Sequence, residues 1–291
     1  MELRQLRYFV QVAELLNFTQ AAQRLHISQS TLSQQIKQLE AELGTPLFDR
    51  IGKRVTLTEA GQHFLIYAQQ TLASATSGLQ ALHDLANLET GALAIGATFA
   101  LRARLTQALI RFAPRYPGIH VNVLFGTSDE LLEHLHAGQL DFVLTFQEEA
   151  WSDHLAQQFL FELRMALVVS SSSPFAGRSS ITLEEIGALR LALPVQGYST
   201  RQFLDRAFAT QRIDPTIAIE INDIPTLFQL VKTGYWHTIL TMATVEGEVE
   251  LKAIPIMGEG MNRQAWVVWL NNTHRKKASL RFCELLMSAD Q

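Results

Sequence analysis

The chain has 291 residues, 47% of them hydrophobic, with a net charge of −4 and a single cysteine. That length suggests about two domains with substantial cores, and the negative balance excludes a protein that coats nucleic acid through bulk charge. One cysteine excludes an internal disulfide and fits a reducing compartment.

The N-terminus MELRQLRYF carries no basic-then-apolar leader and no run reaches membrane-spanning length, so a soluble, cytoplasmic protein without a membrane partner is expected. The charge is uneven along the chain. Residues 1–65 hold seven Lys/Arg against six Asp/Glu, and the remaining 226 hold 17 against 22. The electrostatic footprint of a nucleic-acid contact would therefore be local and N-terminal.

In chain order, Leu6, Phe9, Val10, Ala13 and Leu16 recur at helical spacing and predict a first helix that packs beneath its two successors. Residues 15–39, LLNFTQAAQRLHISQSTLSQQIKQL, hold no acidic residue and read as two short helices joined by a tight turn. Thr19 is expected to cap the first of these and Ser28 the second. Leu32, Ile36, Leu39 and Leu43 give the second a buried face. Its other face carries Gln29, Ser30, Ser33, Gln34 and Lys37, with Thr31 beside them. A helix so equipped has the chemistry to enter a major groove, where Gln pairs with adenine and Ser and Lys take available acceptors. The alternative is a merely solvated face, which the absence of acids disfavours.

Gly44-Thr45-Pro46 stops that helix, and LFDRIGKRVTLT reads as a hairpin with Gly52-Lys53 at its tip and Val55 and Leu57 inward. Three helices and a hairpin make a winged helix-turn-helix over residues 1–58. Arg50, Lys53 and Arg54 are expected on phosphates or in the minor groove, with pairing to acids such as Asp49 as the alternative for the two arginines. Thr58 then caps a long helix over 59–90. Leu65, Leu72, Leu79 and Ala86 stand seven apart, and Ala68, Ala75 and Leu82 fill the complementary positions. Two readings stand: an amphipathic helix lying on its own domain, or a dimerisation coiled coil. The second is favoured because the helix would overhang a domain of this size.

From Gly91 the rhythm is α/β. GALAIGAT, HVNVLF and LDFVLTF read as strands, and helices are expected over 101–113 and in TSDELLEHLHAG, capped by Thr127/Ser128 and stopped by Gly138. The alternation continues through RMALVVS, LRLALP, STRQFLDRAFA, TIAIEI, IPTLFQLVKTG and YWHTILT, implying parallel sheets with right-handed crossovers. A crossing near Phe161–Met165 and a return through AWVVWL and LRFCELLMS would give two lobes with a cleft between them, 91–161 with about 266–291 and 165–265, within a domain spanning 91–291.

Ligands in such folds sit at the carboxyl ends of strands beside helix N-termini. The matching positions are Thr98, Phe99 and Ala100; Thr127 and Ser128; Thr145 and Phe146; and Ser199, Thr200 and Arg201. Each hydroxyl also has an ordinary reading as an N-cap. Arg201, or Arg102 as second candidate, would suit a small anion or carboxylate, whereas Phe99, Phe146 and Trp236 would suit an aromatic ligand.

No cofactor, metal or catalytic chemistry is expected. His134 and His136 are two apart and face different directions, and Cys283 lies between apolar neighbours on a terminal helix. G-x-S-x-G, G-x-x-x-x-G-K-[ST] and H-E-x-x-H are all missing from the sequence.

The first sixty-one residues, MELRQLRYF through TLTEAG, closely resemble the LysR-type transcriptional regulators, and RFAPRYPGIHVNVLFG and LLEHLHAGQLDFVLTF are similar to the start of that family's effector-binding domain. YSTRQFLD and NDIPTLFQLVKTGYWHTILTMATV look most like the cyanate-operon regulator subgroup.

The resemblance implies a winged helix-turn-helix, a linker helix and a two-lobed periplasmic-binding-protein-like domain. It also implies dimers that pair into tetramers, contact with RNA polymerase, and operator binding and DNA bending controlled by a small-molecule co-inducer. Two departures stand out. Ser30 occupies a position where the family often has Pro, and Gly234-Tyr235-Trp236-His237 replaces a glycine-rich segment, so bulky side chains are expected to line or block the cleft. The alternative function is an architectural DNA-binding protein with a non-functional cleft.

Overall fold

The computed structural model describes every residue except 52–53, 87–89, 147–153, 259, 272 and 289–291. The chain divides into two compact units. The first is built mainly on residues 1–87, and the second holds most of the remainder.

The first unit begins with α1 (Leu3–Leu15), α2 (Phe18–Arg24) and α3 (Gln29–Leu43), followed by the hairpin strands β1 (Phe48–Ile51) and β2 (Arg54–Leu57) and the long α4 (Glu59–Ala86). Its core joins Leu6, Phe9, Val12 and Ala13 of α1 to Leu32, Ile36 and Leu39 of α3 and to Phe48 of the hairpin. The expected inner face of α1 needs correcting by a fraction of a turn. Val12 is fully buried, whereas Val10 is only half-buried and Leu16 is exposed. Leu16 adopts left-handed backbone with φ 47° and ends α1, so it belongs to the turn rather than to the helix face.

That early stop also moves the cap of α2. Asn17 Oδ1 accepts hydrogen bonds from the N–H groups of Thr19 and Gln20 at 3.0 and 3.1 Å, so Asn17 is the cap and Thr19 is a first-turn residue. Ser28 caps α3 as expected, its hydroxyl accepting from Thr31 N–H at 3.1 Å. Gly44 ends α3 with φ 71°. Glu40, near the end of α3, turns inward and accepts from the N–H groups of Leu47 and Phe48. Thr58 caps α4 by accepting from Gly61 N–H while donating to the carbonyl of Pro46. A Cβ at Gly61 would lie 2.1 Å from the Leu47 carbonyl oxygen, so only glycine permits this approach.

The two readings of α4 each describe one half of it. Phe64, Leu65, Ala68 and Leu72 pack against the domain's own core, while Leu79 and Leu82 further along are 63% and 66% exposed. The side chain of Ala86 lies outside the described residues.

The rest of the chain holds β3 (Gly91–Thr98), a 3-10 turn (Phe99–Leu101), α5 (Arg102–Phe112), β4 (Ile119–Gly126), α6 (Ser128–His136), β5 (Phe142–Phe146) and β6 (Leu155–Ser170). It continues with α7 (Leu183–Gly187), β7 (Leu191–Pro194), α8 (Ser199–Gln211), β8 (Ile217–Ile221), α9 (Ile224–Lys232) and β9 (Thr238–Thr241). A second 3-10 turn (Met242–Val245), β10 (Leu251–Pro255), β11 (Asn262–Leu270) and α10 (Lys277–Met287) complete it.

The main sheet runs β10-β6-β11-β5-β3-β4, with β9 also on β6, and β7-β8 form a small sheet of their own. Among the described strand pairs, β3 with β4 and β5, and β7 with β8, are parallel. The expectation of parallel sheets throughout is thus corrected: β11 runs antiparallel to β5 and β6, and β6 antiparallel to β9 and β10. The reason is β6 itself, a single strand of 16 residues. Its Phe161 and Leu163 join one core with Phe142, Trp269 and Phe282, and its Met165, Leu167 and Val169 join another with Leu193, Leu204 and Ile239. The chain leaves the first lobe along β6 and returns along β11, and two adjacent strands walked in opposite directions must pair antiparallel. Cys283 is buried in the first of these cores.

Candidate functional site

On α3, Gln29, Ser30, Thr31, Gln34 and Lys37 are exposed and Ser33 is half-buried, while Leu32, Ile36 and Leu39 face the core. The hydroxyls of Ser30 and Thr31 share hydrogen bonds with Ser28 Oγ at 2.8 Å. Among the described residues, the polar groups of Gln29, Ser33, Gln34 and Lys37 have no protein partner. They form an open row of two amides, a hydroxyl and an ammonium with no carboxylate among them. Thr19 is exposed at the start of α2. The side chains of Arg50, Lys53 and Arg54 lie outside the described residues.

The second unit holds a cavity of about 20 Å³, room for about one water, walled by the ends of both lobes. Of the anticipated residues, Thr98, Phe99, Ala100, Thr127, Ser199 and Thr200 line it. The others stand elsewhere. Ser128 and Thr145 are buried and hydrogen-bonded to each other at 2.9 Å. Phe146 lies under a guanidinium, that of Arg263, whose Cζ is 3.8 Å from the ring centroid.

Arg201 is 5% exposed and is used structurally. Its Nε donates to Asp205 at 2.7 Å, and its Nη1 donates to the Pro194 carbonyl and to Glu220. Burial alone would lower its pKa, but the two carboxylates outweigh that and raise it. Arg201 thus fastens α8 to β7 and β8 and does not reach the cavity. Tyr235 and Trp236 contact each other, and Arg190 lies over the Tyr235 ring; neither aromatic lines this cavity or the larger pocket beside it.

Two contributors are not anticipated by the sequence. Tyr198 stacks on Phe99 with centroids 5.4 Å apart, and Phe99 in turn stacks on Phe125 at 5.6 Å, a three-ring bridge from β4 to the start of α8. Burial, then the negative charges of Glu130 and Asp223, raise the Tyr198 pKa, and its phenol donates to the Asn222 carbonyl. The other is Arg263, 3% exposed at the start of β11, which donates to Thr200 Oγ1 at 3.2 Å. A basic residue beginning a strand that is otherwise so apolar (QAWVVWL) is the available signal.

A larger pocket of about 350 Å³ adjoins the cavity, between α5 and α9. It is lined by Arg102, Phe228 and Lys232 among others, and it shares Phe99, Ala100, Ile224 and Thr244 with the smaller one. Phe99 is therefore a partition between two spaces. Among the described residues no cluster of His, Cys, Asp or Glu could hold a metal, and no helix is long and apolar enough to cross a membrane.

Comparison with known proteins decides the relationship. Residues 3–62 match the model of the bacterial regulatory helix-turn-helix proteins of the lysR family, and residues 86–291 match that of the LysR substrate binding domain. The chain belongs to the LysR family. It is 31% identical over 290 residues to the HTH-type transcriptional regulator BsdA of Bacillus subtilis (strain 168), covering 98% of this chain and all of that one. It is also 27% identical over 289 residues to the RuBisCO operon transcriptional regulator of Allochromatium vinosum, covering 98% and 95%.

Full-length CbnR in complex with its target DNA superposes with a TM-score of 0.69 at 27% identity, over 98% of this chain and 99% of that one. A full-length OxyR variant from Pseudomonas aeruginosa has a TM-score of 0.80 at 23% identity, over 98% and 94%, and so speaks for the fold. This LysR-type transcriptional regulator therefore couples a helix-turn-helix to a two-lobed effector domain.

Proposed function

We propose that this LysR-type regulator reads an operator with Gln29, Ser33, Gln34 and Lys37 of α3. Ser30, Thr31, Thr19 and the hairpin bases Arg50, Lys53 and Arg54 position it on the phosphates. The open, acid-free row on α3 carries this reading, and the solved complex of CbnR with its target DNA supports it. In this reading residues 1–58 form the DNA-binding domain and 59–90 a linker. Residues 91–291 form the effector domain, with lobes 91–161 plus 266–291 and 165–265.

The exposed Leu79 and Leu82 of α4 are the surface on which two copies pair, and pairs assemble into tetramers. Effector enters between the lobes at Thr98–Ala100, Thr127 and Ser199–Thr200 and shifts the population toward an assembly that bends DNA differently. The protein then acts on RNA polymerase at cytoplasmic promoters and catalyses no reaction. A purely architectural role is disfavoured by the conjunction of open hydroxyls and a bridged cleft.

The test is fluorescence anisotropy on the DNA upstream of the protein's own gene and on scrambled DNA. Replacing Gln34 or Ser33 with Ala should cost about 1 to 3 kcal/mol on the operator and far less on scrambled DNA. Equal losses on both would show that α3 only positions the protein.

A further inference from the structure

The pocket between α5 and α9, at about 350 Å³, has the volume of a small-molecule site rather than of a single water. Its long walls are two helix faces. α9 contributes along its whole length, with Ile224 at one end, Phe228 in the middle and Lys232 at the other, a run of about 12 Å. α5 faces the pocket with Arg102, Ala103 and Thr106. The middle is apolar, made by Ala103, Ile224, Phe228 and Phe99. Phe99 also divides it from the one-water cavity, and Thr98 and Thr200, which line that cavity, do not line this pocket.

The two ends of the pocket differ in charge. Beside the start of α9 stands Arg102, exposed, with no hydrogen bond or ion pair among the described residues. Hydrogen bonds from Thr226 lower the pKa of the neighbouring Asp223 most, and the charge of Arg102 lowers it further. Asp223 nevertheless spends its carboxylate on capping α9, accepting from Thr226 N–H at 2.9 Å and Thr226 Oγ1 at 2.6 Å. The Arg102 Cζ lies 5.6 Å from the Phe125 ring centroid, a contact that uses none of its N–H donors. At the far end of α9 the Lys232 ammonium meets two carboxylates, Glu248 at 2.9 Å and Glu250 at 3.4 Å. One ammonium against two carboxylates leaves that end negative, and Glu248 lines the pocket.

We propose that this pocket is a second ligand site, built for a linear ω-amino carboxylate: a methylene chain with a carboxylate at one end and an ammonium at the other. The carboxylate takes the N–H donors of Arg102, and the chain lies along Ala103, Ile224 and Phe228. The ammonium joins Lys232 on the oxygens of Glu248. Charge complementarity at both ends selects this ligand. A plain fatty carboxylate leaves its methyl end against an ion pair, and a compact acid reaches one end alone. The site goes beyond the effector reading of the cleft and does not depend on it.

The experiment is thermal unfolding of the full chain titrated with ω-aminooctanoate, a zwitterion that leaves ionic strength unchanged. Octanoate lacks the ammonium, octylamine lacks the carboxylate, and glycine has both charges without the spacer. ω-Aminooctanoate should raise the effector-domain transition saturably, and none of the three controls should match it. Arg102→Gln and Glu248→Gln should each weaken the apparent affinity tenfold or more. Arg102 is exposed and Glu248 half-buried, so neither substitution opens the core. Ala103→Phe, which fills the apolar middle and touches neither charge, should abolish the shift. Thr98→Val and Thr200→Val, in the walls of the smaller cavity, should leave it unchanged.

An equal shift from octanoate or octylamine would overturn the two-ended ligand. A full shift retained in Ala103→Phe, or in both Arg102→Gln and Glu248→Gln, would overturn the site. A shift lost in Thr98→Val would assign the ligand to the cleft and overturn a second site. No shift with ω-aminooctanoate would overturn the proposal, and operator binding measured by anisotropy would then report separately on the regulator reading.

Discussion

The reading face of α3 and the cleft of the effector domain both present polar side chains, yet they are built in opposite ways. On α3, Gln29, Ser33, Gln34 and Lys37 come from one short stretch of a single helix and stand open. In the cleft, Thr98, Thr127, Tyr198, Thr200 and Arg263 come from distant places in the chain and are brought together only by the two-lobed fold. A surface made by one helix can be read from spacing. A cavity made by crossing strands cannot, because its members are neighbours only after the chain has folded.

The comparison predicts that each region fails with its own core. Phe9 is fully buried and packs against Phe48 and Phe64 with ring centroids 5.4 Å away. Phe9→Ala should destabilise the DNA-binding domain by about 3 to 5 kcal/mol. In chemical denaturation this should appear as an early, separate transition and lost operator binding, with the effector-domain transition unmoved. A single shifted transition would show that the two regions fold as one.

A smaller effect separates structure from recognition within the cleft. Arg201→Met should cost about 1 to 3 kcal/mol of effector-domain stability, since the carboxylates it leaves can be rehydrated. A loss of ligand response without loss of stability would reinstate Arg201 as an anchor. The smallest effect tests the turn before the reading helix. Asn17→Ala should cost about 1 kcal/mol in thermal unfolding, while Thr19→Ala should be close to neutral there. The reverse order would return the cap to Thr19.

Much of the fold is legible in the sequence because it is local. Ser28, Gly44, Thr58 and Gly138 punctuate the helices where their chemistry says they should. Asn17 is harder to see because it and Thr19 are both good caps, and only the left-handed turn at Leu16 chooses between them. The first half of β6 is hidden because polar Gln157 and Gln158 and an exposed Phe159 break its apolar pattern. The short α7 does carry a signal, since Thr182 and Glu185 form a capping box there, but its five residues are too few to show a helical period.

The cleft is the hardest to read. Thr98, Phe99, Ala100, Thr127 and Thr200 follow from the rule that ligands gather at strand ends. The structural use of Arg201 turns on its partners, Asp205 at helical spacing and Glu220 on a distant strand. A count of charges cannot tell which carboxylate will be spent on which guanidinium.

The contact at Gly61 has a mechanical meaning. With its first turn pressed onto the Leu47 carbonyl and tied through Thr58 to Pro46, α4 is welded to the root of the hairpin. Glu40 welds that root in turn to α3. A helix of 28 residues, about 42 Å long, is then a rigid handle on the reading helix. A small tilt applied at its far end swings the whole head without bending it, and a side chain at position 61 would loosen the grip at the fulcrum.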